Sequence, residues 1–172
     1  MKKLIVSIFA LAAVVYSAYA ANTVNGTGSA DIVTSIAIAP GAGGSTLEFG
    51  RIALGTTAST VTVAAAAVAN RTKASGDVTL LASGATPKAA QFTVTGSGTH
   101  TFALTMAQTT TLANGISISN INPSALTGSA GSYIGTLTAG TISFYVGGTL
   151  NIAANATEGA YSQTFPLTVA YN

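Results

Sequence analysis

Apolar residues in this chain recur at every second position in short runs, and beyond its first twenty residues no stretch keeps a convincing helical spacing. Period-two alternation turns successive side chains to opposite faces of a strand, so each run predicts a strand with one buried face. Ten segments carry strand-like character: Ala30–Ala39, Thr46–Leu54, Thr60–Ala67, Asp77–Ala82, Ala90–Thr95, Thr99–Met106, Gly115–Ile121, Tyr133–Leu137, Thr141–Ala153 and Tyr161–Tyr171. The one helix-like run, Ala64–Ala69, follows Val61-Thr62-Val63, which favours a strand. Turn chemistry separates the segments. Pro40-Gly41-Ala42-Gly43-Gly44 predicts a loop, Asn114-Gly115 a tight turn and Asn122-Pro123 the start of a turn. Gly147-Gly148 falls inside a good strand and predicts a bulge or a close backbone approach. Short strands with regular turn signals specify an all-β antiparallel sandwich or barrel. No linker or second domain interrupts residues 30–172.

The last segment is the most regular. Phe165, Leu167, Val169 and Tyr171 alternate with Thr164, Pro166, Thr168 and Ala170. Chain ends normally fray, so an apolar pattern kept this far predicts that the end is held. All four apolar side chains are expected to point into one core face, with Tyr171 governing folding or assembly.

The first twenty residues read as an export signal. Lys2 and Lys3 precede the apolar stretch Leu4–Val15, and Ala18-Tyr19-Ala20 fits a small-x-small cleavage site after Ala20. Leu4–Ala20 is shorter than the roughly 20 residues a spanning helix takes. Residues 21–29 then form an extension or leader ahead of the domain. Beyond the signal, Arg51, Arg71, Lys73 and Lys88 balance Asp31, Glu48, Asp77 and Glu158. With 6% charged residues in the chain, against about a quarter in a typical domain, the surface must be covered by Thr, Ser, Asn, Gln, Gly and Ala. A neutral surface of this kind repels its own copies weakly. No basic patch is offered to nucleic acid. Cysteine is absent, so packing and ladder hydrogen bonds must hold the fold without disulfides.

No catalytic or cofactor site is expected. His100, the single histidine, shares the parity of Phe102, Leu104 and Met106 and reads as a rim residue. One histidine without cysteine is a poor basis for a transition-metal site. The carboxylates are scattered and lie in no calcium loop. The glycines of Gly96-Ser97-Gly98 and Gly41–Gly44 lack the lysine and the strand–loop–helix setting of a phosphate loop. Neither a metal nor a small-molecule cofactor is expected.

Two resemblances bear on function. Ala156-Thr157-Glu158-Gly159 followed by the alternating tail resembles the C-terminal strand of chaperone–usher pilins, with Gly159 fourteenth from the end and Tyr171 penultimate. Leu47-Glu48-Phe49-Gly50, Gln91-Phe92-Thr93-Val94-Thr95-Gly96, Val146-Gly147-Gly148-Thr149-Leu150, Gly159-x-Tyr161 and Val169-x-Tyr171-Asn172 resemble, in that order, a bacterial exported family of unknown function, DUF4402. The pilin resemblance implies an immunoglobulin-like (pilin-like) β-sandwich that lacks its last strand. A periplasmic chaperone, and then the N-terminal extension of the next subunit, would fill the groove by strand addition. Partners would be copies of this chain or related subunits, a periplasmic chaperone and an outer-membrane usher. The place would be a cell-surface fimbrium reached through the periplasm. Gly159, Phe165, Leu167, Val169 and Tyr171 would form the terminal-strand motif. Val24, Gly26, Gly28, Ala30 and Ile32, which share one parity, would form the donor segment. The absence of cysteine departs from many pilins.

The expected function is therefore a structural subunit of a bacterial surface fibre, with adhesion as a further role. The alternative is a self-contained secreted or surface-layer sandwich, in which residues 21–29 are only a leader.

Overall fold

The computed structural model describes residues 23–68 and 70–172. The expected signal and its cleavage site lie outside the described residues. Ile32–Asn172 forms one compact unit.

The described residues contain thirteen strands and no helix, and all strand pairing is antiparallel. The strands are β1 (Ala37–Pro40), β2 (Ile52–Ala53), β3 (Ser59–Val63), β4 (Arg71–Ser75), β5 (Thr79–Leu80), β6 (Ala90–Thr95), β7 (Thr101–Met106), β8 (Thr110–Ala113), β9 (Ile116–Pro123), β10 (Thr127–Ser129), β11 (Ser132–Thr136), β12 (Thr141–Ile152) and β13 (Leu167–Tyr171). A seven-stranded sheet runs β1-β6-β12-β3-β4, with β9 also on β12 and β8 on β9. A four-stranded sheet runs β10-β11-β7-β13, and β2 pairs with β5.

Strand β12 organises the larger sheet. Thr149 is partnered by both Thr62 of β3 and Ser119 of β9, so those strands lie on opposite edges. Val146 is likewise partnered by Ala90 of β6 and Pro123 of β9. One edge of β12 thus takes β6 and then β3, and the other takes β9. Both readings of Gly147-Gly148 are found. The register against β9 shifts between Gly147 and Thr149. A Cβ on Gly147 would lie 2.5 Å from the Val63 carbonyl and the Ala65 nitrogen, so only glycine lets the chain leaving β3 pass so close.

The two sheets enclose one core. Val61, Val94, Phe144 and Val146 of the larger sheet meet Phe102, Leu104 and Tyr133 of the smaller one, all buried. The outward faces carry hydroxyls in place of charges. Thr60 and Ser75, Thr62 and Thr149, and Thr93 and Ser143 pair across strands at 2.8, 3.1 and 2.8 Å. Such cross-strand pairs stabilise a sheet modestly.

Several sequence expectations differ in extent. Of Ala30–Ala39 only the end is strand; of Thr46–Leu54 only Ile52–Ala53, with an isolated bridge between Glu48 and Lys88; and of Tyr161–Tyr171 only β13. Strands β4, β8 and β10 have no counterpart among the ten segments. They lie at sheet edges, where little is buried and alternation fades. Asn114-Gly115 forms a two-residue hairpin turn with both φ positive, +48° and +74°, the twist-matched geometry for a hairpin. Asn122-Pro123 ends β9 instead of starting a turn, since both still pair with β12.

Asp77 closes the approach to β3. Its carboxylate accepts four hydrogen bonds, from the Thr56 and Thr57 main-chain nitrogens at 2.8 and 3.1 Å and from both threonine hydroxyls at 2.9 Å. Its own N–H donates to the buried Ser59 hydroxyl at 3.1 Å. The Thr56 N–H, then the Thr57 N–H and hydroxyl, hold the carboxyl well below the usual carboxylate range. A depressed pKa favours the ionised folded state, so the stabilisation is present above the ordinary aspartate value of about 3.9 and is lost as pH falls below it. Thermal melts across this range will show the native chain losing stability on acidification. Asp77→Asn will be less stable at neutral pH and will lack that component of the acid loss.

Candidate functional site: an open apolar groove

The smaller sheet ends on an edge with no partner. Strand β13 pairs with β7 from Leu167↔Met106 to Tyr171↔Phe102, and among the described residues no strand is hydrogen-bonded to its other edge. Among the same residues strand β1 pairs with β6 alone. Ahead of β13, residues 157–166 make no backbone–backbone hydrogen bond among the described residues. Between this stretch and residues 45–54 lies a groove of about 1240 Å³. Its floor includes Phe92, Ile116, Ile118, Leu150 and Ile152. Leu47, Phe49 and Ile52 line one wall, and Tyr161, Phe165 and Leu167 the other. Apolar surface beside an unpaired backbone edge is the combination that accepts an added strand.

The wall at residues 45–54 is pinned individually. Glu48 exchanges both backbone bonds with Lys88, at 2.8 and 3.0 Å. Its side chain accepts from the Gly50 N–H at 3.0 Å, and Gly50 adopts φ +68°. The Arg71 guanidinium, from β4, donates to the carbonyls of Phe49 and Arg51 at 2.9 Å and of Leu81 at 2.8 Å. A Cβ on Gly50 would lie 2.9 Å from that guanidinium. Sequence reasoning missed Arg71, because its partners are main-chain carbonyls that leave no trace in residue types. The only signal was a glycine following Leu47-Glu48-Phe49.

The terminal-strand residues are placed as follows. Phe165, Leu167, Val169 and Tyr171 are half-buried and pack on the core from one face, while Pro166, Thr168 and Ala170 are exposed. Half-burial lowers each contribution below the roughly 1.5–3 kcal/mol of a fully buried side chain. Phe165 meets Phe92 edge-on, with ring centroids 6.4 Å apart. Gly159 is exposed. The atoms nearest a Cβ there belong to the Tyr161 side chain, at ordinary distances of 3.5–3.6 Å, so the structure gives no steric reason for glycine at 159. Tyr161 folds back so that its hydroxyl donates to the Thr157 carbonyl at 2.7 Å.

Tyr171 ties three segments together. Its hydroxyl accepts from the Ser97 N–H at 2.7 Å and donates to the Thr34 carbonyl at 2.9 Å. A Cβ on Gly96 would collide with this hydroxyl, which accounts for the glycine ending Gln91–Gly96. His100 is exposed and packs edge-on against the Tyr171 ring at 5.7 Å. Among the described residues no three or more His, Cys, Asp or Glu side chains come together to hold a metal.

The candidate donor residues are exposed: Val24 at 94%, Ile32 at 92%, and Gly26, Gly28 and Ala30 with them. Nothing lies within 4 Å of a Cβ built on Gly26 or Gly28.

The chain belongs to the family described as domain of unknown function (DUF4402), whose model matches residues 41–171. Neither the curated proteins nor the solved structures contain a match to it.

Tyr171→Phe removes the hydroxyl but keeps the ring. Leaving the Ser97 N–H without its partner will lower stability by about 1–3 kcal/mol, read as a lower denaturant midpoint with an unchanged slope. Freeing the Thr34 carbonyl will make residues 34–36 more sensitive to proteolysis than the rest of the domain.

Proposed function

We propose that the protein is an exported structural subunit of a bacterial surface fibre. Its sandwich is immunoglobulin-like and pilin-like, and it polymerises by taking a strand from a neighbouring copy into the open groove. The observation that carries this reading is the groove itself, with apolar floor and walls beside a backbone edge that has no partner. An exposed apolar groove with an unpaired edge is a liability for a solitary domain and an asset for a subunit that is always filled.

Two features support the direction of assembly. The chain enters the domain at Thr34, beside Tyr171. The groove runs the other way, from Ile38 and Leu167 toward Leu54 and Tyr161. A donated segment and an acceptor groove are different surfaces of one chain, so their contact is heterologous and propagates as an open fibre when the rotation between copies does not close. Val24 and Ile32 supply large apolar side chains, and Gly26, Gly28 and Ala30 small ones, on one face of the donated strand. Export through the periplasm, with a chaperone and an usher as assembly partners and adhesion as a further role, completes the reading. The low charge of the surface suits close packing of like subunits.

The test is thermal unfolding of the processed subunit with and without a peptide copying residues 22–32. At a hundredfold excess over its dissociation constant, a bound strand adds about 2.7 kcal/mol, a rise of roughly 5–11 °C for a domain of this size. A peptide with Gly26→Trp will give no rise. A subunit that melts cooperatively at high temperature and ignores the peptide would remove strand addition and leave a self-contained sandwich.

A further inference from the structure

The sequence contains two Asn-Gly pairs, Asn25-Gly26 and Asn114-Gly115, and they sit in opposite environments. Asn25 is exposed, and no side-chain or backbone hydrogen bond engages it among the described residues. Gly26 has no Cβ and open space where one would be. Its main-chain nitrogen can therefore reach the Asn25 side-chain carbon unhindered. Asn114 is held in the left-handed region at φ +48°, in a turn that also fixes Gly115 at φ +74°. Its amide donates to the Tyr161 hydroxyl at 3.3 Å, and the Gly115 carbonyl accepts from the Ala153 N–H at 3.0 Å.

We propose that Asn25 is a site of spontaneous deamidation that limits how long a free subunit remains able to donate its N-terminal segment. The Gly26 nitrogen attacks Cγ of Asn25. The new C–N bond closes a five-membered imide, the Cγ–Nδ2 bond breaks, and ammonia departs carrying the proton lost by Gly26. Water then opens either imide carbonyl, leaving aspartate or isoaspartate. At Asn114 the same ring cannot close until the hairpin turn and the Tyr161 contact both let go, so local opening must come first.

The consequence follows from strand geometry. Isoaspartate routes the backbone through the side-chain carbon and adds one atom between residues 25 and 26. Val24 is then out of phase with Gly26, Gly28, Ala30 and Ile32, and a strand whose period is two residues cannot keep both parts on one face. Either product also places a new negative charge on the segment. Once the segment is paired in a groove, the imide geometry is no longer accessible, so assembly protects the site. This consequence rests on the strand-addition reading; the deamidation itself does not.

The experiment ages the processed full chain in mildly alkaline buffer at body temperature. Intact mass, peptide mapping and isoaspartate-specific methylation follow the product. Deamidation is expected at Asn25. Asn114 should react at least about tenfold more slowly, the factor equivalent to about 1.4 kcal/mol of local opening. An unmodified Asn25, or equal rates at the two sites, overturns the assignment. Fresh protein, aged protein and Asn25→Gln aged in parallel are then compared for polymerisation. Fresh protein and the Gln variant are expected to polymerise, and aged wild type to lose most of that capacity. Aged wild type polymerising as well as fresh protein overturns the timing role. If fresh protein fails to polymerise at all, strand addition and the timing role fall together, while the mass data still decide the chemistry.

Discussion

The larger sheet is built on the backbone ladder of β12, and the smaller sheet packs on the core that this strand organises. Strand β12 runs for twelve residues and pairs with β6, β3 and β9, so both of its edges are used. A chain without cysteine and with few charges has only packing and such ladders to hold it. The glycines within β12 let two partners share one edge. Gly147 admits the chain leaving β3, and the adjoining bulge resets the register to β9. Phe144, Val146, Leu150 and Ile152 then point inward from this one strand and organise the core.

The groove is what remains when those ladders run out. Strand β13 is paired by β7 on one side and, among the described residues, by no strand on the other. The walls hold their shape by other means. Arg71 binds three carbonyls on one side, and Tyr161 folds onto Thr157 on the other. Tyr171 lies at the opposite end, where it joins the terminal strand to the point at which the chain enters the domain. A groove with braced walls is preorganised, which lowers the cost of binding into it.

Much of the fold was legible in the residues. Strands β6, β7 and β12 fall within alternating segments, β3, β9 and β11 overrun theirs by one or two residues, and Gly147-Gly148 announced the irregularity in β12. The edge strands β4, β8 and β10 were not legible, because a strand with little to bury has no pattern to write. More telling are the stretches that alternate with little or no pairing: Ala30–Ile36 and Tyr161–Phe165, which join no ladder, and Thr46–Phe49, which has only the Glu48–Lys88 bridge. Alternation records which side chains meet apolar surroundings; it does not record which backbone groups have partners. Thr46–Phe49 and Tyr161–Phe165 lie along the groove, and Ala30–Ile36 leads out of the domain. A strand pattern without a strand partner is a local inconsistency of the kind functional sites carry, and it supports a missing strand from another chain. The bracing by Arg71 was invisible, since main-chain acceptors have no sequence signature.

Strand addition requires the edge beside the groove to be unpaired in the isolated chain. Native-state hydrogen exchange of the isolated chain, resolved by residue, reads that edge. Amides between Thr157 and Phe165 are expected to exchange at nearly open-chain rates while Thr168–Tyr171 are protected alternately through β7. Filling the groove with the residue 22–32 strand should protect the first stretch selectively. Strong protection of residues 157–165 in the unfilled monomer would show that the edge already has a partner within the chain and leaves no place for an added strand.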